Sequence, residues 1–250
     1  MRVLMVNHPG TLKFRGGDLT QMRKTAEALR PLGVTVVESF DPEPDARGFD
    51  LAHVFNLRTV HTTPKQVKAI KQAGVPVVLS PIYLNVSLTL WANRVVPNIF
   101  SRPRPAEEIE RLLGQLRERT LKVKGTKGET WTALGENRPD ADYDHYQREV
   151  LRQVDHLVPN SYLEMDRLVK TLRVCDIPFT VVPYACDPAV FADADPEPFR
   201  KKHRTGPFVL QVGRIEASKN QIMLAYALRE LDLPLVLIGG CQQPKYEECV

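Results

Sequence analysis

Arg214 and Lys219 flank the stretch Ile215-Glu-Ala-Ser218, directly after the apolar run Phe208-Val-Leu-Gln-Val212 and Gly213. Two cations at such a point suit the holding of an anion. A short apolar run closed by glycine has the pattern of a buried strand in a parallel sheet. Gln221 to Leu231 then carries apolar residues at Ile222, Leu224, Ala225, Ala227 and Leu228, a helical stripe that closes near Asp232 and Pro234. The cations therefore fall where a helix begins, and its unpaired N–H groups and positive dipole end favour an anion such as phosphate. A forked guanidinium and a compact ammonium add charge at the same spot. An ordinary strand-to-helix loop with two solvated cations fits the same residues, so the rest of the chain has to decide.

Three other places carry candidate chemistry. In Arg15-Gly-Gly-Asp-Leu-Thr-Gln21, Gly16 and Gly17 permit close backbone approach to a ligand, and Asp18 with Gln21 has the spacing of a capping box at a helix start. The stretch is neither a G-x-G-x-x-G fingerprint nor a phosphate-binding P-loop, and a tight turn before a capped helix also explains it. His53 lies in Leu51-Ala-His-Val-Phe55, with Asn56 at the carboxyl end of that strand, where α/β sheets place ligands. An imidazole there can donate to a sugar hydroxyl or act as acid or base, but a hydrogen-bonded core histidine is the plainer account, for His8 and His61 as well. The lysines and arginines between Arg94 and Lys127 can meet lipid phosphates or an anionic acceptor, with a solvated surface as the alternative.

The elements that must position these residues alternate between strand and helix from the start, the pattern of a doubly wound α/β sheet. Strands are expected at Arg2 to Asn7, Val34 to Glu38, Leu51 to Phe55, Val75 to Ser80, His156 to Pro159 and Phe179 to Pro183. Helices are expected at Asp18 to Leu32, Lys65 to Gln72, about Tyr146 to Val154, and Leu163 to Leu172. Between residues 83 and 144 the pattern loosens, with prolines, a charged helix near Glu107 to Leu121 and the stretch Lys122-Val-Lys-Gly-Thr-Lys-Gly128, which reads as an insertion or mobile segment. A first domain over 1–186 is therefore followed by a proline-rich linker, 187–206, and a second sheet over 207–250. That second sheet holds one βαβ unit, Phe208–Val212, Gln221–Leu231 and Leu235–Ile238. Such a unit does not cover both faces of its own sheet.

The 250 residues, 43% hydrophobic and 26% charged, suit a globular protein with a real core. No run approaches a membrane span, and the chain enters a strand at once without a signal-peptide pattern, so a cytoplasmic location is expected. Cys175, Cys186, Cys241 and Cys249 show neither a C-x-x-C pair nor a histidine at zinc spacing, so reduced thiols are expected, with no disulfide and no structural metal. A formal charge of +4 is too mild for a typical nucleic-acid binder. It fits weak attraction to anionic substrates or a membrane surface.

Taken in order, Gly16-Gly17 before a helix, Pro159-Asn160-Ser161, Val182-Pro-Tyr-Ala-Cys-Asp-Pro-Ala-Val-Phe191, and Gly213-Arg214-Ile-Glu216 with Lys219-Asn220 resemble the family-4 (group 1) glycosyltransferases of the GT-B fold. The resemblance implies two Rossmann-like domains and transfer of a hexosyl-type sugar, with retention, from a nucleotide-diphosphate donor to a carbohydrate or lipid-linked acceptor. It implies no cofactor and no metal, with peripheral contact at the inner face of the membrane as a further expectation. Arg214 and Lys219 would carry catalysis by neutralising the donor diphosphate as the glycosidic bond breaks. Gly16, Gly17, Gly213, Glu216, Asn220 and Gly239 would lie at the donor. His53, Asn56 and Asn160 would meet the acceptor or a sugar.

The chain departs from the family twice. Where many relatives carry two histidines separated by one residue, it has His53 and then Phe55. The family pattern also continues past Val250 with more βα units and a pair of glutamates that grip the donor's sugar and ribose, so a donor domain cut after its first βαβ unit is expected, with weak or no activity. Two alternatives stay open: a non-catalytic relative that binds a nucleotide, lipid head group or protein, and another GT-B enzyme such as a sugar-nucleotide epimerase or a phosphorylase.

Overall fold

The structure, a computed structural model, describes residues 1–13, 16–83, 104–112 and 140–241 together with positions 102, 114, 115 and 246. It divides into two units, Met1–Leu84 with Arg138–Cys186, and Asn85–Asn137 with Asp187–Val250. Most of the 83–144 stretch, including Lys122–Gly128 and six of the nine basic residues from Arg94 to Lys127, lies outside the described residues, as does Cys249. Residues 106–112, 114 and 115 are helical, within the expected charged helix.

The first unit is an α/β layer around a five-stranded parallel sheet in the order β2-β1-β3-β4-β5. The strands are β1 (Arg2–Val6), β2 (Thr35–Ser39), β3 (Leu51–Phe55), β4 (Val77–Ser80) and β5 (His156–Leu157). The helices are α1 (Gly10–Lys13), α2 (Gly17–Leu29), α3 (Thr63–Gln72), α4 (Asp140–Leu151) and α5 (Tyr162–Leu172). The central strands are apolar at nearly every position because both faces are covered. On one face Val3, Met5 and Phe55 pack against Leu19, Met22 and Ala26 of α2. On the other, Val54, Val77 and Leu79 pack with Val67 and Ile70 of α3 and Leu168 of α5. This is a Rossmann-like α/β arrangement.

Local departures from expectation have local causes. The last turn of the first long helix tightens to a 3₁₀ turn at Arg30–Leu32 and stops at Gly33, whose φ of 80° is a left-handed conformation that glycine adopts without strain. The strand expected at Phe179–Pro183 reduces to one bridge between Leu157 and Phe179, with Thr180 and Val182 donating to the carbonyls of Leu157 and Pro159. Pro178 and Pro183 bracket it, and neither offers an N–H to extend a ladder. Cys175 and Cys186 are exposed free thiols, and Cys241 is partly exposed.

In the second unit, α6 (Ala189–Ala192) and α7 (Glu197–His203) precede β6 (Val209–Val212), α8 (Gln221–Leu228) and β7 (Leu235–Ile238). β6 and β7 pair in parallel with Val209 opposite Leu235 and Val212 opposite Ile238. The buried cluster here is Ala217, Ile222 and Tyr246, with Ile215 packed against it. Leu210, Val212 and Ile238 remain 50%, 69% and 45% exposed, so one sheet face is open among the described residues. No described helix is long and apolar enough to cross a membrane.

Candidate functional site

The first candidate place is the carboxyl edge of the five-stranded sheet. β1 has β2 on one side and β3 on the other, so the strand order reverses around it, and such a switch point opens a crevice beyond the strand ends. Asn7 and His8 follow β1, Asn56 follows β3, and Gly16 and Gly17 open α2 at the same edge. Asp18 joins these loops: His8 Nε2 lies 3.3 Å from its Oδ2, Asn56 Nδ2 donates to Oδ2 at 3.2 Å, and Thr11 Oγ1 donates to Oδ1 at 3.4 Å. Burial alone would raise the Asp18 pKa. Hydrogen bonds from His8, Asn56 and the Leu19 N–H, with the His8 charge, outweigh burial and bring it down to about 2.

The expected capping box does not form. Gly16 is the N-cap of α2, and no side-chain cap bond is made there. Asp18 sits one residue inside the helix, and its carboxylate is taken by His8, Thr11 and Asn56 instead. As an anion in the first turn it still complements the helix dipole. Asn56 has a φ of 80°, which an asparagine tolerates in a tight turn, and its Oδ1 accepts the Arg58 N–H at 2.8 Å. His53 lies within β3, stacked on Phe55 at 4.1 Å and hydrogen-bonded through Nε2 to Ser80 Oγ at 2.9 Å. Desolvation lowers its pKa to about 4, so it is a neutral, strand-packed imidazole.

At the far end of the same edge, Glu164 ties two loops together. Its carboxylate accepts the Tyr83 N–H at 2.6 Å and the Asn160 N–H at 2.5 Å, while the Ser161 hydroxyl caps α5 by accepting the Glu164 N–H at 3.1 Å. Desolvation raises the Glu164 pKa despite those two donors. Tyr184 completes the group. Burial pushes its phenol up, a hydrogen bond with the Asn160 side chain opposes that, and the charges of Glu164 and Asp18 push it up further. The Tyr184 hydroxyl is within hydrogen-bond reach of the Asn160 side chain, and the residue as a whole is 54% exposed. Asn7 Nδ2, fully buried at this edge, has no hydrogen-bond partner among the described residues. The edge can offer hydroxyl-binding groups of both signs to a polar ligand.

The second place is the loop after β6. Gly213 has a φ of 153°, and a Cβ on Gly239 would lie 1.8 Å from the Gly213 carbonyl oxygen, so only glycine fits at 239. The crossing is fixed by Gly213 N–H to Ile238 O at 2.9 Å and Ile215 N–H to Gly240 O at 3.1 Å. Gln221, 1% exposed, donates to Arg214 O at 2.8 Å and accepts the Glu216 N–H at 3.4 Å, holding the loop from beneath. Ala217–Lys219 forms a 3₁₀ turn that ends at Asn220, left-handed at φ 60°, where α8 starts.

Arg214 and Lys219 are thus on one short loop, but they are not equivalent. Arg214 Nη2 pairs with Glu216 Oε1 at 3.2 Å, and Ser218 Oγ donates to the same oxygen at 2.5 Å. Lys219 is exposed and makes no ion pair among the described residues. Part of the helix start is already occupied, because the Ile222 N–H donates to the Tyr246 hydroxyl at 3.3 Å. The loop can hold an anion through two side-chain cations, with an internal carboxylate beside them.

Sequence reasoning missed Glu164, Tyr184 and the Asp18 contacts. Ser161-Tyr-Leu-Glu164 carries a readable S-x-x-E capping signal. Tyr184 lies within the motif Val182–Phe191, but nothing local marks its hydroxyl as a partner of Asn160. Among the described residues, no group of three or more His, Cys, Asp or Glu side chains is arranged to hold a metal ion. No protein-family model matches the chain, and no curated protein matches it.

Proposed function

We propose that the chain is a glycosyltransferase of the GT-B type that retains anomeric configuration. In this reading the loop after β6 holds the diphosphate of a nucleotide-sugar donor, and the carboxyl edge of the first unit's sheet binds a carbohydrate or lipid-linked acceptor at a cytoplasmic, membrane-peripheral location. The observation that carries it is the built loop bearing Arg214 and Lys219 at the start of α8. Two cations there would stabilise the leaving diphosphate as the bond to the sugar breaks, which is electrostatic transition-state stabilisation. Asn56, Asn160, Tyr184 and Asp18 would then meet acceptor hydroxyls. His53, bound to Ser80, would support β3 from within the sheet.

The pairing of Arg214 with Glu216 inside the loop favours a second reading, a binding module that takes a nucleotide, lipid head group or protein without turnover. Incubation with a panel of nucleotide sugars separates the two. Release of nucleoside diphosphate that is lost in Arg214→Ala supports the transferase; thermal stabilisation by a nucleotide without release supports the binding module. If no nucleotide stabilises the chain and none is released, the diphosphate site is wrong.

A further inference from the structure

We infer that Glu216 is a charge selector of the anion loop, weakening its hold on a diphosphate with a free end more than on one esterified at both ends. This rests on the diphosphate reading of that loop. The Glu216 side chain is 12% exposed and is held on two sides, by Arg214 Nη2 at 3.2 Å and by Ser218 Oγ at 2.5 Å. Its backbone is held as well, the N–H by Gln221 Oε1 and the carbonyl by Lys219 N–H at 2.9 Å. The carboxylate is therefore a fixed part of the loop. With Arg214 and Lys219 it leaves residues 213–220 of the loop a single net positive charge.

The consequence is electrostatic. A diphosphate bridged at both ends carries about two negative charges, and one with a free end carries about three near neutral pH, because a terminal phosphate loses its second proton near pH 6. An anion that engages Arg214 must share the guanidinium with Glu216 or displace it, and every added negative charge is repelled by the same carboxylate at short range. The penalty is larger for the more highly charged ligand. Glu216 thus narrows the advantage that the two cations give the more highly charged ligand, so the nucleoside diphosphate left after transfer is held less tightly than it would be without this carboxylate, which speeds its release.

The test uses monomethyl diphosphate and the symmetric dimethyl diester of diphosphate as probes, titrated into the full chain by phosphorus NMR at low salt. Glu216→Gln keeps the shape and the acceptor for Ser218 but removes the charge. It should tighten binding of the monomethyl probe about tenfold and of the diester about threefold, with both gains shrinking as salt rises. Glu216→Asp should keep the wild-type ratio of the two affinities, and Lys219→Gln should shift that ratio toward the diester. Unchanged or weakened binding in Glu216→Gln, or equal gains for both probes, overturns the inference. Arg214→Ala separates the two levels: if it abolishes binding while Glu216→Gln leaves the preference unchanged, only charge selection fails. If Arg214→Ala changes nothing, or neither probe binds any variant, the anion reading of the loop fails with it.

Discussion

The two units solve the problem of a parallel sheet differently. In the first, five strands are covered on both faces by apolar clusters that include Met5, Phe55, Val54, Leu79 and Leu168. In the second, the described residues give two strands with Ala217, Ile222 and Tyr246 buried on one side and Leu210, Val212 and Ile238 exposed on the other. Stability in the first therefore rests on close packing over many residues. In the second, order at the loop rests on backbone crossings and a few polar ties, the Gly213–Gly239 approach and the Gln221 bonds. Polar groups are treated differently too: Asp18 and Glu164 are knotted into several loops, whereas Arg214 and Lys219 stand on a single one.

Core truncation should separate the two units most strongly. Leu79→Ala, at a fully buried site on β4, should cost about 4 kcal/mol in urea unfolding, and Val212→Ala, 69% exposed on β6, less than about 0.5 kcal/mol. Equal costs would mean that the open face of β6 is covered. Acid sensitivity comes next. His53 is held near pKa 4 against an ordinary 6.5, so between those values the unfolded chain takes up a proton that the fold refuses. Stability should fall by about 3 kcal/mol as pH drops through that window, and His53 should contribute no pH dependence above it. His53→Gln, measured by the same unfolding series, should flatten the slope.

Asp18 gives a smaller effect of the same kind at lower pH. Its folded pKa of about 2 lies below the ordinary 3.8, so its stabilisation is complete above the higher value and is lost as pH falls through the lower. Asp18→Asn should cost about 2 kcal/mol at neutral pH and progressively less as pH falls from about 4 to about 2. A mutant whose deficit is the same at every pH would place Asp18's contribution in shape and not in charge.

Much of the first unit was legible because apolar runs such as Leu51–Phe55 and the stripe of α2 are local patterns. Boundaries moved where single residues overrode the pattern, as at Pro178 and Pro183 beside the Leu157–Phe179 bridge. The Arg214 and Lys219 loop was visible for the same reason, since strand, glycine, cations and helix follow one another in sequence. The group around Asp18 and Tyr184 was not. Asp18 meets Asn56 and Glu164 meets the Tyr83 N–H across long stretches of chain, and only the parallel order of the strands brings those loops to one edge. The Glu216 pairing is local, yet its meaning depends on a rotamer that spacing does not reveal.

If Arg214 receives a diphosphate, calorimetric titration of the full chain with uridine, guanosine and adenosine diphosphates and their sugar conjugates will show it. At least one should bind, and Arg214→Ala should weaken it at least about tenfold while leaving the thermal transition in place. No binding by any of them, or equal affinity in Arg214→Ala, would contradict the account.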